Sequence, residues 1–357
     1  MININLLMKN NEKKLTEVSE LGEFGLIDQI TKDVKIKHQN TLKGVGDDAA
    51  VIDYGNTCSV VTTDLLLEGI HFNLIYTPLK HLGYKAVVVN LSDVYAMNAT
   101  PKQITVSIAI SKKFAVEHIE EFYEGVKLAC EAYNIDLVGG DTSSSITGLA
   151  ISVTAIGEAN KKDIVFRSTA QNTDIICVTG NLGGAYMGLQ LLEREKEIFT
   201  ANPGTQPKLE GYDYILQRQL KPEARKDIVK LLNELKITPT AMIDISDGLS
   251  SELLHICKNS NVGCKIFQDK IPIDLNTEKM AKEFKMEPLI AALNGGEDYE
   301  LLFTLNINDF DKIKDHALIH PIGHITDKKN GAVLISDAGQ AIPLQAQGWN
   351  PLKKDEK

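Results

Sequence analysis

Three features of the sequence predict a mixed α/β (α+β) fold in two domains. Apolar runs of strand length alternate with longer runs at helical spacing. Glycine, serine and acidic residues punctuate the ends of those runs. The 357 residues exceed what one ordinary domain contains. With 43% hydrophobic and 24% charged residues, the composition is that of a globular protein. The formal net charge of -10 argues against nucleic acid or an anionic membrane as a partner. It does not argue against a phosphate ligand, because a bound cation inverts the local field.

The five cysteines, Cys58, Cys130, Cys177, Cys257 and Cys264, form no C-x-x-C pair, which suits reduced thiols in a cytoplasmic protein. Residues 1–8 are apolar but lack the basic start of a signal peptide. No run approaches the roughly 20 apolar residues that span a bilayer.

In chain order, residues 1–21, polar after the first eight, are expected to form a mobile N-terminal extension. Residues 22–160 are assigned to a first α/β domain and 161–357 to a second. Phe24, Ile27 and Ile30 recur at helical spacing after Gly22. Residues 49–52 and 59–62 read as a hairpin around the turn Asp53-Tyr54-Gly55-Asn56. Its strand ends carry Asp47, Asp48 and Asp64, with the hydroxyls of Thr62 and Thr63. Carboxylates crowded in this way repel unless they are protonated or bridged by cations. An Asp and Thr oxygen set suits magnesium or calcium rather than zinc. Taken alone, the same acids read equally well as solvated loop residues.

Pro78 opens a helix to about residue 99, and its apolar stripe of Leu82, Ala86, Val89 and Met97 contains Asp93. A charge there is costly unless it is paired. Asn90 and Ser92 stand beside it. A strand over 103–110 and a helix over 117–132 follow. Residues 135–138 then lead into Gly139-Gly140-Asp141-Thr142, which reads equally well as a backbone whose N–H groups face phosphate oxygens and as a sharp turn with an Asp cap. A strand over 149–157 completes about four strands and two long helices.

The second domain opens with a strand at 174–179 and a glycine-rich turn, 180–184, that lacks G-x-G-x-x-G and is read as structural. Residues 197–213 read as a surface insertion. A strand at 241–245 runs into Asp244-Ile245-Ser246-Asp247-Gly248, where Asp247 is also an ordinary helix cap. Glu297 and Asp298 follow Gly295-Gly296 before a strand at 300–305.

Six acidic motifs thus stand at predicted strand or helix ends. The sequence has no G-x-x-x-x-G-K-[ST], H-E-x-x-H or G-x-S-x-G motif, and its histidines lack zinc spacing. Phosphoryl transfer with several magnesium ions is the chemistry that uses this inventory.

In order and spacing, the motifs resemble those of the thiamine-monophosphate kinases. That family shares a superfamily with aminoimidazole ribonucleotide synthetase and selenophosphate synthetase. The resemblance runs from about residue 22 to 351, through Gly46-Asp47-Asp48, Thr62-Thr63-Asp64, Gly69-Ile70-His71-Phe72, Asn90-Leu91-Ser92-Asp93, Gly139-Gly140-Asp141, Asp244-Ile245-Ser246-Asp247, Gly296-Glu297-Asp298 and Gly348-Trp349. It implies transfer of the ATP γ-phosphoryl group to thiamine monophosphate. It also implies magnesium ligands at Asp48, Thr62, Thr63, Asp64, Asp93, Asp141, Asp244 and Asp247. ATP contacts are implied at Tyr123, Gly140, Asp141, Arg167 and Ser246, and substrate contacts at His71, Glu297 and Trp349. A homodimer is implied in which two N-terminal sheets combine into one barrel. The alternatives are another ATP-dependent synthetase of the superfamily and a non-catalytic magnesium-nucleotide sensor. An acceptor phosphate is already ionised, so no side chain is expected to act as general base or covalent carrier.

Overall fold

The computed structural model describes residues 16–347, which fall into two compact units, 16–35 and 36–347. Residues 1–15 and the C-terminal residues from Gly348, Trp349 included, lie outside the described residues. The first unit holds helix α1 (Val18–Thr31), broken at Gly22 where φ is +67°. The helix therefore begins within the segment expected to be a mobile extension. Its first turn is tied by the Glu17 N–H, which donates to Glu20 Oε1 at 3.4 Å.

The second unit contains two sheets. The first has six strands, β1 (Thr41–Lys43), β2 (Ala50–Asp53), β3 (Thr57–Leu67), β4 (Thr100–Ile110), β5 (Asp136–Ser144) and β6 (Leu149–Asn160). Their order is β1-β2-β3-β6-β4-β5, and only β4 and β5 run parallel. Six strands replace the four expected, because the sequence reading did not count the three-residue β1 or the glycine-bearing β5.

β5 passes straight through Gly139-Gly140-Asp141, so no turn forms there. A Cβ on Gly140 would stand 1.8 Å from the Val106 carbonyl oxygen of β4, and close strand approach accounts for that glycine. β3 likewise runs on to Leu67, which places Thr62, Thr63 and Asp64 within the strand instead of at its end.

The second sheet comprises β7 (Ile175–Thr179), β8 (Ala241–Asp244), β9 (Val262–Phe267), β10 (Leu301–Leu305), β11 (Ile319–Asp327), β12 (Ala332–Ile335) and β13 (Ala341–Pro343). Its order is β13-β12-β9-β11-β7-β10-β8, antiparallel except for β9 and β12.

Helix α2 (Leu79–Ala96) starts behind Pro78 at its N-cap, and 14 of its 18 residues are buried. A helix covered all round is a core element. It lies against β3, β4 and β6 of the first sheet and β8 of the second. One apolar core includes Val87, Leu91 and Val94 of α2, Val60 and Ile151 of the first sheet, and Met242 and Phe303 of the second.

Helix α3 (Val116–Tyr133) crosses α2 where two glycines meet its backbone. A Cβ on Gly83 would lie 2.0 Å from the Phe122 oxygen, and one on Gly125 would lie 1.9 Å from the Lys80 oxygen. The remaining helices are α4 (Gly184–Ala201), α5 (Asp213–Leu220), α6 (Lys226–Glu234), α7 (Leu249–Ser260), α8 (Leu275–Glu283) and α9 (Pro288–Asn294). α4 takes in the first residues of the expected insertion, and the loop beyond it is tied down where the Lys208 N–H donates to Glu195 Oε2 at 2.8 Å. All five cysteines are free. Among the described residues, no helix is long and apolar enough to cross a membrane.

Candidate active site

The polar residues of α2 organise the site. Asp93 accepts a hydrogen bond from the Thr62 hydroxyl of β3 at 2.6 Å. Ser92 Oγ donates to Asp244 Oδ2, at the end of β8, at 2.6 Å. Asn90 Oδ1 accepts the Asp64 N–H at 3.0 Å, while its own amide donates to the Ala86 carbonyl at 3.0 Å. One helix therefore bonds both sheets through adjacent residues, and it draws Asp48, Asp64, Asp93 and Asp244 into mutual electrostatic range.

The electrostatics of this group are those of buried like charges. Burial, followed by repulsion from Asp244, Asp64 and Asp48, holds the Asp93 carboxyl well above the usual carboxylate range. Asp48 is raised by burial and by Asp244, against the pull of Arg167. Burial pushes Asp64 up to about 6. Asp244 is pushed up to about 7 by burial and by the charges of Asp64 and Asp247, despite the stabilising Ser92 hydroxyl. Asp48 Oδ2 is buried and finds no hydrogen-bond partner among the described residues. In the present side-chain positions, no three His, Cys, Asp or Glu side chains among the described residues converge closely enough to share one ion. The hydroxyls of Thr62 and Ser92 instead hold Asp93 and Asp244.

Glu252 belongs to this cluster and was missed from sequence. It is buried in the first turn of α7, accepts the Asp247 N–H at 3.1 Å, and is raised well above its usual range by burial and by Asp247 and Asp244. Gly248, not Asp247, occupies the N-cap of that helix. An acid a few residues after a cap reads as ordinary capping chemistry, so the sequence signal was weak.

The structure does not bring every expected ligand together. Strand alternation puts Thr62 and Asp64 on the face toward α2 and Thr63 on the other. The Thr63 hydroxyl donates to the Val153 carbonyl at 3.0 Å and accepts from the Thr154 hydroxyl at 3.2 Å. Asp141 pairs with Ser107, Ser107 with Ser152 and Ser152 with Leu65, so Asp141 shares the face of Thr63 and Leu65. It also lies three strand spacings from β3, about 14 Å, whereas two ligands of one magnesium ion lie within about 4 Å. Within one chain, Asp141 and Thr63 therefore stand apart from the buried acids.

Gly140 is exposed on the same edge strand. Tyr123 lies edge-on to Phe122 at 5.5 Å against the apolar core. Arg167 meets the acidic loop directly. Its N–H donates to Asp47 Oδ1 at 3.2 Å, its Nε donates to the Gly46 carbonyl at 3.2 Å, and its Nη1 stands 3.8 Å from Asp48 Oδ1. The Ser246 carbonyl accepts the Glu297 N–H at 2.7 Å. His71 Nδ1 accepts the Leu67 N–H at 3.0 Å, which leaves the ring proton on Nε2 when the imidazole is neutral. Trp349 lies outside the described residues.

In a second buried charge cluster the carboxylates are paired within the chain, although Arg218 Nε finds no hydrogen-bond partner among the described residues. Glu300 receives Arg218 Nη1 at 2.9 Å, Arg225 Nη1 at 2.8 Å and the Thr179 hydroxyl at 2.6 Å. Asp298 accepts the Gly183 N–H at 2.6 Å, so the glycine-rich turn before α4 is closed by the chain's own carboxylate. A cleft of about 600 Å³ is lined by Tyr133, Arg218, Glu223, Arg225 and Glu300. Its arginines are committed to this network and not to the acid cluster.

Residues 46–159, which carry β2 to β6 with α2 and α3, match the family model of AIR synthase related protein, N-terminal domain. Over 339 residues, the chain is 35% identical to the thiamine-monophosphate kinase of Bacillus subtilis (strain 168), covering 93% of this chain and 100% of that one. Over 288 residues, it is 38% identical to the thiamine-monophosphate kinase of Aquifex aeolicus (strain VF5), covering 80% and 87%. Among solved structures, AaThiL complexed with AMPPCP and TMP is 34% identical, with a TM-score of 0.81 over 95% of this chain and 100% of that one. The chain belongs to the thiamine-monophosphate kinase family of enzymes.

Proposed function

We propose that the chain transfers the γ-phosphoryl group of ATP directly to the phosphate of thiamine monophosphate, giving thiamine diphosphate and ADP. The observation that carries this reading is the set of carboxylates buried together beneath α2, raised by one another and lacking basic partners equal to their number. Asp48, Thr62, Asp64, Asp93, Asp244 and Asp247 would hold magnesium ions, since their donors are all hard oxygens and Asp48 Oδ2 has an unused acceptor. Bound magnesium would offset the repulsion between two phosphate-bearing substrates.

The chain's own residues orient the reactants. Arg167, whose Nη1 is 3.8 Å from Asp48 Oδ1, would meet the ATP phosphates, with Ser246 on the adjoining loop. His71, Glu297 and Trp349 would contact thiamine monophosphate. An oxygen of the acceptor phosphate attacks the γ-phosphorus as its bond to the β–γ bridging oxygen breaks, and ADP leaves with that electron pair. No side chain carries phosphate in this scheme.

Thr63, Gly140, Asp141 and Tyr123 would join a site only if a second copy approached. We infer a homodimer in which two such sheets combine into a barrel. The nine residues of β5, all exposed on a sheet edge, support that reading. The two sheets support a domain division near residue 160, and the five free thiols suit a cytoplasmic protein.

Incubation with ATP and magnesium tests the activity. Thiamine monophosphate should trigger equal release of ADP and thiamine diphosphate. No increase in ADP would refute the reading. Label from γ-labelled ATP retained on denatured protein and chased into product would refute direct transfer.

A further inference from the structure

Lys85 is a charged residue inside an apolar helix. It stands in the run Leu82-Gly83-Tyr84-Lys85-Ala86-Val87-Val88-Val89 and its side chain is only 4% exposed. An ammonium group in such a place is costly unless it is paired. Its Nζ lies 2.9 Å from Glu297 Oε1 and donates to the Gln219 carbonyl at 3.0 Å. Gln219, buried in the last turn of α5, donates its side-chain amide to Glu297 Oε2 at 2.8 Å. Both oxygens of Glu297 are thus held from within the protein.

The backbone beneath Glu297 is equally constrained. Gly296, Glu297 and Tyr299 have φ of +71°, +57° and +50°, a left-handed conformation that side chains beyond glycine rarely adopt. The Glu297 N–H is fixed to the Ser246 carbonyl at 2.7 Å and the Tyr299 N–H to the Ile245 carbonyl at 2.9 Å. Strain of this kind persists where the surroundings over-determine it, and it clusters at ligand sites. The Glu297 side chain nevertheless remains 29% exposed. The lysine is sealed behind a carboxylate that still opens outward.

We propose that Lys85 is a positioning residue. With Gln219, it holds Glu297 in one orientation, so that the outward lone pairs meet donor groups of thiamine monophosphate without further ordering. This rests on the reading of Glu297 as a substrate contact. Lys85 lies seven residues, about 10 Å along the helix, before Ser92, which bonds Asp244. A single rigid element then sets the spacing between the Glu297 carboxylate and the acid cluster.

The test is steady-state kinetics on Lys85→Met, Gln219→Leu, Glu297→Gln and the Lys85→Met/Glu297→Gln double variant. Lys85→Met should raise the KM for thiamine monophosphate by about tenfold, with the KM for ATP moving less than about twofold. Gln219→Leu should raise the same constant by a smaller factor, and it carries the test if Lys85→Met does not fold. The double variant should be no worse than Glu297→Gln alone, because the two residues act as one unit. Equal rises in both KM values, or effects that multiply in the double variant, would overturn the proposal. If Glu297→Gln weakens thiamine monophosphate binding and Lys85→Met does not, only the positioning role falls. If Glu297→Gln leaves that constant unchanged, the substrate reading falls and takes the proposal with it.

Discussion

Two clusters of buried charge in the 36–347 unit are built on opposite rules. Around Glu300, every carboxylate meets a cation or a donor. Arg218 and Arg225 take one oxygen each, Thr179 adds a hydroxyl, and Asp298 caps a helix start. Around Asp93, carboxylates meet chiefly hydroxyls and one another. In the first cluster the carboxylates are balanced as folded, and it behaves as structure. The second has fewer cations than carboxylates, and in the function proposed above magnesium would supply the missing charge. Buried charge by itself therefore says little about function, whereas buried charge without a counter-ion says a good deal.

The largest effect expected from this contrast is at Asp93. Asp93→Asn should depress turnover by roughly a thousandfold or more, the scale of losing a principal electrostatic element at a reacting centre. In the absence of magnesium the same variant should melt no lower than the parent, because one of several repelling charges has gone. Near-normal turnover at ordinary magnesium would place Asp93 outside the machinery.

The paired cluster should behave the other way. Arg218→Met leaves Glu300 and Asp298 short of a partner, and breaking a buried pair typically costs about 3–5 kcal/mol. Urea unfolding should show that loss equally with and without magnesium. A loss that magnesium repairs would erase the distinction between the two clusters.

A smaller effect should come from the crossing of α2 and α3. Gly83→Ala forces a methyl group onto the Phe122 carbonyl, and overpacking of this kind costs about 1–3 kcal/mol. Since α2 carries Asn90, Ser92 and Asp93, activity should fall along with stability. Lost stability with intact kcat would show that α2 tolerates displacement and is not the ruler proposed above.

Much of this was legible in the sequence, for identifiable reasons. Pro78 and the apolar stripe mark α2 to within a few residues, and Asp93 stands out because a charge in that stripe needs a purpose. The acidic motifs announce themselves through flanking glycine and serine. The face each acid takes was not legible. Thr62, Thr63 and Asp64 read as one motif until β3 is seen to run through all three, whereupon alternation divides them. Asp141 was separated by strand order, a tertiary fact with no local signature. Glu252 and Gln219 resemble ordinary helix residues. Lys85 carried a readable signal, a single lysine within an apolar run, but its partners come from α5 and the loop before β10.

The central claim is that the acid cluster is built for cations, and thermal melting against pH with and without magnesium tests it most directly. Asp64 and Asp244 have folded values raised to about 6 and about 7, above their ordinary value of 3.8. A raised carboxyl pKa means that the folded chain holds protons the unfolded chain has released. Without magnesium, these groups should make stability fall as pH rises from about 4 to 7 and level off above that. Asp298, pushed up to about 6 by burial, adds a decline in the same direction that magnesium leaves in place. The decisive quantity is therefore the difference between the two curves. Magnesium should stabilise little near pH 4, most by about pH 8, and far less in Asp93→Asn. Stabilisation by magnesium that is absent, or the same at every pH, would contradict the account.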